Sequence, residues 1–156
     1  MLRRLLPLIL CSTTLFGQKY TGPQPEKADL PYLMHADNLV ATEAGEAKDE
    51  HRKDDDVAVI GGATSPVATP LASPIFLMRA DKLNADTLEI YKLESKNGHR
   101  EVTLTHKKKP VAKPVIVSVT KVGDDLYRLE VNQELSNGEY SITPRDLNLV
   151  FCFRVY

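Results

Sequence analysis

Tryptophan is missing from the chain, and aromatic residues make up only 6% of its 156 positions. A surface that stacks sugar rings relies on exposed aromatic side chains, so a carbohydrate-binding module is the weaker of the binding readings. There are only two cysteines, Cys11 and Cys152, too few for the disulfide framework that staples many small exported domains. The net charge is -1. Such a balance draws no polyanion to the molecule as a whole, which argues against nucleic acid. No apolar run approaches the ~20 residues that a membrane-spanning helix needs. What is present is a hydrophobic content of 42% and a charged fraction of 26%, the proportions of one globular domain with appendages.

The first residues read as an address. In "MLRRLLPLILCSTTLFGQ", two arginines precede an apolar stretch from Leu5 to Leu10, and small and polar residues follow. That is the order of a secretory signal, so 1–17 is expected to be a signal peptide cleaved near Gly17. Export to the periplasm, the cell surface or the medium follows. A lipoprotein signal would need a small residue before the lipidated cysteine, and Leu10 precedes Cys11. Cleavage removes Arg3, Arg4 and Cys11, which leaves 18 basic and 21 acidic residues, a net charge of -3, and Cys152 as the sole thiol. No internal disulfide is then available, and the fold must rest on packing and hydrogen bonds.

Composition divides the rest. Residues 18–31 are rich in Pro, Gly and charge and are expected to be flexible. Residues 32–62 read as an N-terminal β arm: a strand near Leu33 to Val40, a charge-dense solvated loop from Glu43 to Asp56, and a second short strand in "DVAVIGG". Residues 63–74, with three prolines in "ATSPVATPLASP", read as an extended connector. From Ile75 the pattern is all β. Asn97-Gly98 is the strongest short hairpin signal, and a two-residue turn there sets Leu93 against Val102 and Tyr91 against Leu104. The same register puts Glu94 opposite Glu101, a mild flaw left for solvent to screen. In the next hairpin, a three-residue loop Gly123-Asp124-Asp125 matches Val119 with Leu129 and Val117 with Val131, whereas a shorter loop would set Val119 against Glu130.

About seven short strands punctuated by turns suggest an antiparallel β-sandwich of the immunoglobulin-like kind over residues 75–156. "LSNGEYSI" adds a local feature. Gly138 lies two residues before Tyr140 and Ile142 two residues after it. This resembles the tyrosine corner of immunoglobulin-like domains, which implies a Tyr140 hydroxyl bonded back across the loop entering the next-to-last strand. The core tryptophan and disulfide of antibody domains are missing. The closing strand is similar to the end of uncharacterised exported bacterial β-sandwich proteins, a resemblance that implies a class and no activity.

No set of residues reaches a catalytic constellation. The serines lack a Gly-x-Ser-x-Gly elbow, and "VIGGATS" lacks the lysine of a phosphate-binding loop. His35, His51, His99 and His106 do not share the spacing of a zinc site, and Asp54, Asp55 and Asp56 lack the spaced oxygens of a calcium loop. No cofactor or metal is expected. An enzyme would need a cleft in which His35 or His99 meets carboxylates. Two surfaces are candidates for contact. Lys107, Lys108, Lys109 and Lys113 form a basic loop able to meet an anion. In "LNLVFCFRVY", Leu147, Leu149, Phe151, Phe153 and Val155 alternate toward the interior. Val150, Cys152, Arg154 and Tyr156 share the other face, as a partner surface with a free thiol or, if the arm covers them, as a buried patch. The expected function is a non-catalytic protein-binding or structural module of the cell envelope, the alternatives being a carbohydrate-binding module or an enzyme. The expected partner is an envelope protein.

Overall fold

The computed structural model describes residues 20–156, and the expected signal peptide lies outside them. The described chain is all β, built from antiparallel sheets packed together. The strands are β1 (Tyr32–His35), β2 (Asn38–Ala41), β3 (Glu43–Glu46), β4 (Lys48–Arg52), β5 (Asp55–Gly61), β6 (Ala68–Thr69), β7 (Ile75–Arg79), β8 (Leu88–Lys96), β9 (His99–His106), β10 (Lys109–Pro110), β11 (Val117–Lys121), β12 (Leu126–Val131), β13 (Gly138–Pro144) and β14 (Leu149–Val155). Eight of the fourteen lie in 75–156, where about seven were expected, and six lie before it, where two were expected.

One sheet has the order β11-β12-β7-β1-β2. The other runs β3-β14-β13-β8-β9-β5-β4, with β10 beside β9 and β6 parallel to β14. Between them lies the main core: Leu33, Phe76, Met78 and Leu129 meet Ile90, Ile142, Phe151 and Phe153. Phe76 and Phe153 pack edge to face with ring centroids 4.9 Å apart. The Tyr140 hydroxyl donates to the Ser136 carbonyl at 2.8 Å, the corner bond that the local motif implied.

The second sheet rolls up on itself. β3 and β4 are two halves of one bent strand, separated only by Ala47. The first half pairs with β14 and the second with β5. Inside the roll sits a second core of Ile60, Leu93, Val150 and Cys152, flanked by Ala47 and Val102. One end is closed by Arg100, whose side chain is fully buried. Its guanidinium donates to both Glu43 carboxylate oxygens at 2.7 and 2.9 Å and to the Gly61 and Gly62 carbonyls at 2.7 and 3.0 Å. Burial alone would raise the Glu43 carboxyl, but the Arg100 bonds outweigh it and hold the group below its ordinary range.

Several sequence expectations change here. Residues 43–56 are strands rather than a solvated loop, because backbone pairing to β14 and β5 supplies what side-chain pattern does not. Residues 32–62 contribute strands to both sheets and are not an appended arm. The expected single strand from Leu33 to Val40 is a hairpin that turns at Ala36, which has a φ of 50°. In 63–74, Ser65 and Thr69 are buried: the Ser65 N–H donates to Glu139 at 2.9 Å and its hydroxyl to the Cys152 carbonyl at 3.3 Å. Residues 20–31 form no strand but are tied down, since Asp29 accepts the backbone N–H groups of Asp81, Lys82 and Leu83 at 2.9–3.0 Å. Leu147 precedes β14 and is 48% exposed.

Both hairpins turn where the turn chemistry predicts, but β8 and β9 pair only from Glu94 to Lys96, so the expected Leu93–Val102 and Tyr91–Leu104 pairs do not form because the strands part there. Glu94 faces Glu101 around Asn97-Gly98, and Val117 and Val119 face Val131 and Leu129. The Glu94–Glu101 flaw is resolved by protein rather than solvent. Glu101 is buried beside His99 at 2.9 Å and Arg52 at 2.7 Å, with Lys96 at 3.7 Å. The hydrogen bond from His99, then that from Arg52, pull its carboxyl down to about 2. A lowered native value gives stability that is present above the unfolded pKa of about 4.3 and is lost as pH falls toward 2. Chemical denaturation at a series of pH values should show this loss, and Glu101→Gln should flatten it while lowering stability at neutral pH.

Two further outcomes test the roll. Arg100→Leu strands Glu43 and Glu139 and should cost about 3 kcal/mol or more in denaturant unfolding, whereas Arg100→Leu with Glu43→Leu should recover much of that loss. Cys152 is 1% exposed, and burial, only partly offset by Arg100, pushes its thiol up to about 12. A thiol reagent should therefore modify it only at the rate of unfolding, and fast labelling of native protein would contradict a closed roll.

Candidate functional site

The end of the roll opposite Arg100 is open. β8 and β9 pair only from Glu94 to Lys96 and from His99 to Glu101. Farther along, Ile90 pairs instead with Val115, whose N–H donates to the Ile90 carbonyl at 2.7 Å. The first half of β8 and the second half of β9 therefore part, and a cleft of about 690 Å³ opens between them. Its lining includes Glu50 and His51 of β4, Asp56 of β5, Glu89 and Tyr91 of β8, Thr105 of β9, and Arg145 and Asp146 of the β13–β14 turn. Behind it, a narrower pit of about 80 Å³ reaches into the second core between Ala58, Ile60, Val102, Leu104 and Val150. Asp49, Tyr91, Leu104, Thr143, Leu147 and Asn148 line both spaces, so the pit is the floor of the cleft.

Period-two alternation explains the lining. Along β8, Glu89, Tyr91 and Leu93 share the face turned into the roll, while Leu88 and Ile90 face the main core. Polar residues come at the mouth and apolar residues deeper, so the walls grade from charged to greasy. The Tyr91 hydroxyl donates to Glu89 at 2.6 Å, and Arg145 donates to the same carboxylate at 2.9 Å. The bond from Tyr91 and the charge of Arg145 hold Glu89 low, and burial followed by the Glu89 bond pushes Tyr91 up to about 12. Arg145 also carries its backbone N–H to the Thr87 carbonyl at 2.9 Å, riveting the turn to the start of β8. On the other wall, Asp56 accepts from the Thr105 hydroxyl at 2.5 Å and pairs with His51 at 2.8 Å. The Thr105 bond, then His51, keep its carboxylate low.

The arrangement concentrates negative charge around an apolar floor. Five carboxylates line the cleft (Asp49, Glu50, Asp56, Glu89 and Asp146), and its one arginine is engaged by Glu89. His51 and Asp56 resemble a base and its orienting group, but the neighbouring Thr105 hydroxyl gives its hydrogen to Asp56, not to the imidazole. No nucleophile, base and orienter follow one another among the described residues. None of their His, Cys, Asp and Glu side chains forms a group of three placed to hold a metal ion.

The histidines and surfaces singled out from sequence lie elsewhere or are divided. His35 sits on β1 in the other sheet, its Nε2 buried without a hydrogen-bond partner among the described residues. His99 meets Glu101 in the outer ion cluster rather than in the cleft. Val150 and Cys152 are inside the roll while Arg154 and Tyr156 are exposed, so the four do not form one partner face. The covering comes from β3 and the rolled sheet. Lys107, Lys108 and Lys109 lie on an exposed hairpin beside the cleft mouth, and Lys113 follows in the segment that leads back to β11. The acidic cleft itself escaped the sequence, because its walls come from five separated strands and a turn. The only available signal was the density of carboxylates between Glu43 and Asp56. No helix among the described residues is long and apolar enough to cross a membrane. Compared with known proteins, the chain matches no family model, no curated protein and no solved structure.

Proposed function

We propose that the protein is an exported, non-catalytic binding module that holds a basic segment of a protein partner, with one aliphatic side chain of that segment seated in the pit. The observation that carries this reading is the cleft itself: acidic walls lead to an apolar floor of about 80 Å³, room for a single branched side chain. Charged walls steer and orient a cation, and the apolar floor supplies burial. The "MLRRLLPLIL" stretch supports export, and an envelope protein is the partner that reading favours. The Tyr140–Ser136 bond supports kinship of the sandwich with immunoglobulin-like domains. A sugar is a poorer fit, since Tyr91 is the only aromatic residue lining the cleft and its hydroxyl is taken by Glu89.

Calorimetric titration with two short peptides tests the reading, one alternating lysine with leucine and one with glutamate in place of lysine. The basic peptide should bind and the acidic one should not. Asp49→Asn with Asp146→Asn should weaken binding several-fold, as expected for rim charges worth roughly 0.2–1 kcal/mol each. Ala58→Leu, which narrows the pit, should weaken it further without lowering the melting temperature below that of the folded range. Equal binding of both peptides, or indifference to the two rim changes and to the filled pit, would sink the proposal.

A further inference from the structure

A second feature of the open end is independent of what the cleft holds. The chain makes two-residue turns with both central residues at positive φ in two consecutive hairpins. Between β8 and β9 they are Asn97 (52°) and Gly98 (81°), the residue types that tolerate this geometry. Between β9 and β10 they are Lys107 (48°) and Lys108 (62°), for which the left-handed region is unfavourable. The Lys107 N–H docks on the Asp54 carbonyl at 2.6 Å, so this turn touches the β4–β5 turn, where Lys53 is again left-handed at 56°. All three lysines with positive φ in the described chain therefore meet at one corner, with Lys109 next to them.

Local physics does not place lysine there. Strain at such positions persists where the surrounding structure holds it, and it often marks a functional segment. Five of the six described arginines are engaged in ion pairs but only Lys96 of the eleven described lysines, and Lys53, Lys107, Lys108, Lys109 and Lys113 are the unpaired lysines that gather at this corner and the segment after it. Of the nearby carboxylates, Asp55 is held by His106 at 2.6 Å and Asp56 by His51 at 2.8 Å, so three carboxylates, with Asp54, stand beside four lysines, and the lysines are in excess by one. The same segment then exposes Val111 at 46%, three residues past Lys108 and bonded back to the Leu104 carbonyl, whereas Ile116, 67% exposed, lies farther along beside the end of β12.

We propose that this lysine corner docks the protein on an anionic lipid surface, with Val111 entering the headgroup layer. Unpaired lysines beside an exposed aliphatic side chain match a bilayer surface, which offers negative charge and an apolar layer together. A nucleic acid fits less well, because no aromatic residue is interleaved for base stacking. A soluble polyanion would leave Val111 without a role.

Co-sedimentation of the full chain with phosphatidylcholine vesicles, with and without phosphatidylglycerol, tests this. Wild-type protein should partition onto the anionic vesicles and release as salt rises. Lys107→Asn with Lys108→Gly should raise the melting temperature by a few degrees and yet lower that partition by about five-fold for each lysine. Lys107→Gln with Lys108→Gln, which removes charge without changing the turn chemistry in the favourable direction, should lower it equally. Val111→Ser should weaken what binding survives at higher salt. All the variants keep the N-terminal residues, so the differences read the corner alone. Partition that is unchanged in both lysine variants, or no greater on anionic than on neutral vesicles, would overturn the proposal. So would tight binding to a soluble anionic polysaccharide that ignores Val111→Ser, which would reassign the corner to polyanions.

Discussion

At Ala47 a single charged strand leaves one partner, β14, and takes up another, β5, and the rolled sheet lasts only while both halves stay paired. The Ala47 N–H reaches the Asn148 carbonyl at 2.8 Å, so the bend itself is hydrogen-bonded and no backbone donor is lost at the crossing. Opening this strand would expose Val150 and Cys152, unseat Glu43 from Arg100 and remove one wall of the cleft in a single event. Fold and site are thus coupled through one backbone ladder whose side chains are mostly solvent-facing.

That strand also resolves two electrostatic problems created by β9. Arg100 and Glu101 are neighbours in sequence, so they point to opposite faces, and both are buried. Each would be costly alone. Glu43, from the first half of the bent strand, meets Arg100, and Arg52, from the second half, meets Glu101. The charge density between Glu43 and Arg52 supplies the counter-ions of the next layer. This is why the cost of losing one partner is expected to exceed the benefit of having the pair: the remaining charge cannot move to water.

The legible parts of the fold were the local ones. Asn97-Gly98 and Gly123-Asp124-Asp125 fix their hairpins because turn chemistry and period-two alternation act over a dozen residues, and the Tyr140 corner closes over four. The bent strand was illegible for the converse reason. Its pattern is polar on both faces, its backbone partner β14 lies about a hundred residues away, and Arg52 and Glu101 are 49 apart. A reader of sequence sees repulsion between Glu94 and Glu101 but not the third strand that brings Arg52. Likewise Ser65 and Thr69 look like linker residues until Glu139 and the end of β14 are placed beside them. The cleft shared this fate, since Glu89, Asp56 and Asp146 converge only once the sheet has rolled.

The two ends of the roll therefore carry different constraints. At the closed end the buried charges are matched: a planar guanidinium, able to bind a carboxylate with two parallel bonds, meets the partly exposed Glu43, a task lysine performs less well. At the open end matching is partial: Glu89 holds Arg145 and Asp56 holds His51, while Asp49 and Asp146 in the cleft and the lysines on the adjacent turns form no ion pairs among the described residues. The unmatched charges cost stability, because like charges repel and lysines sit in unfavourable backbone geometry, and they leave fields that a ligand can answer. The closed end can bear that cost because its ion pairs and the main core hold the sheet in register whatever the turns contain. Rigid support behind a strained rim keeps the groups of that rim in fixed positions.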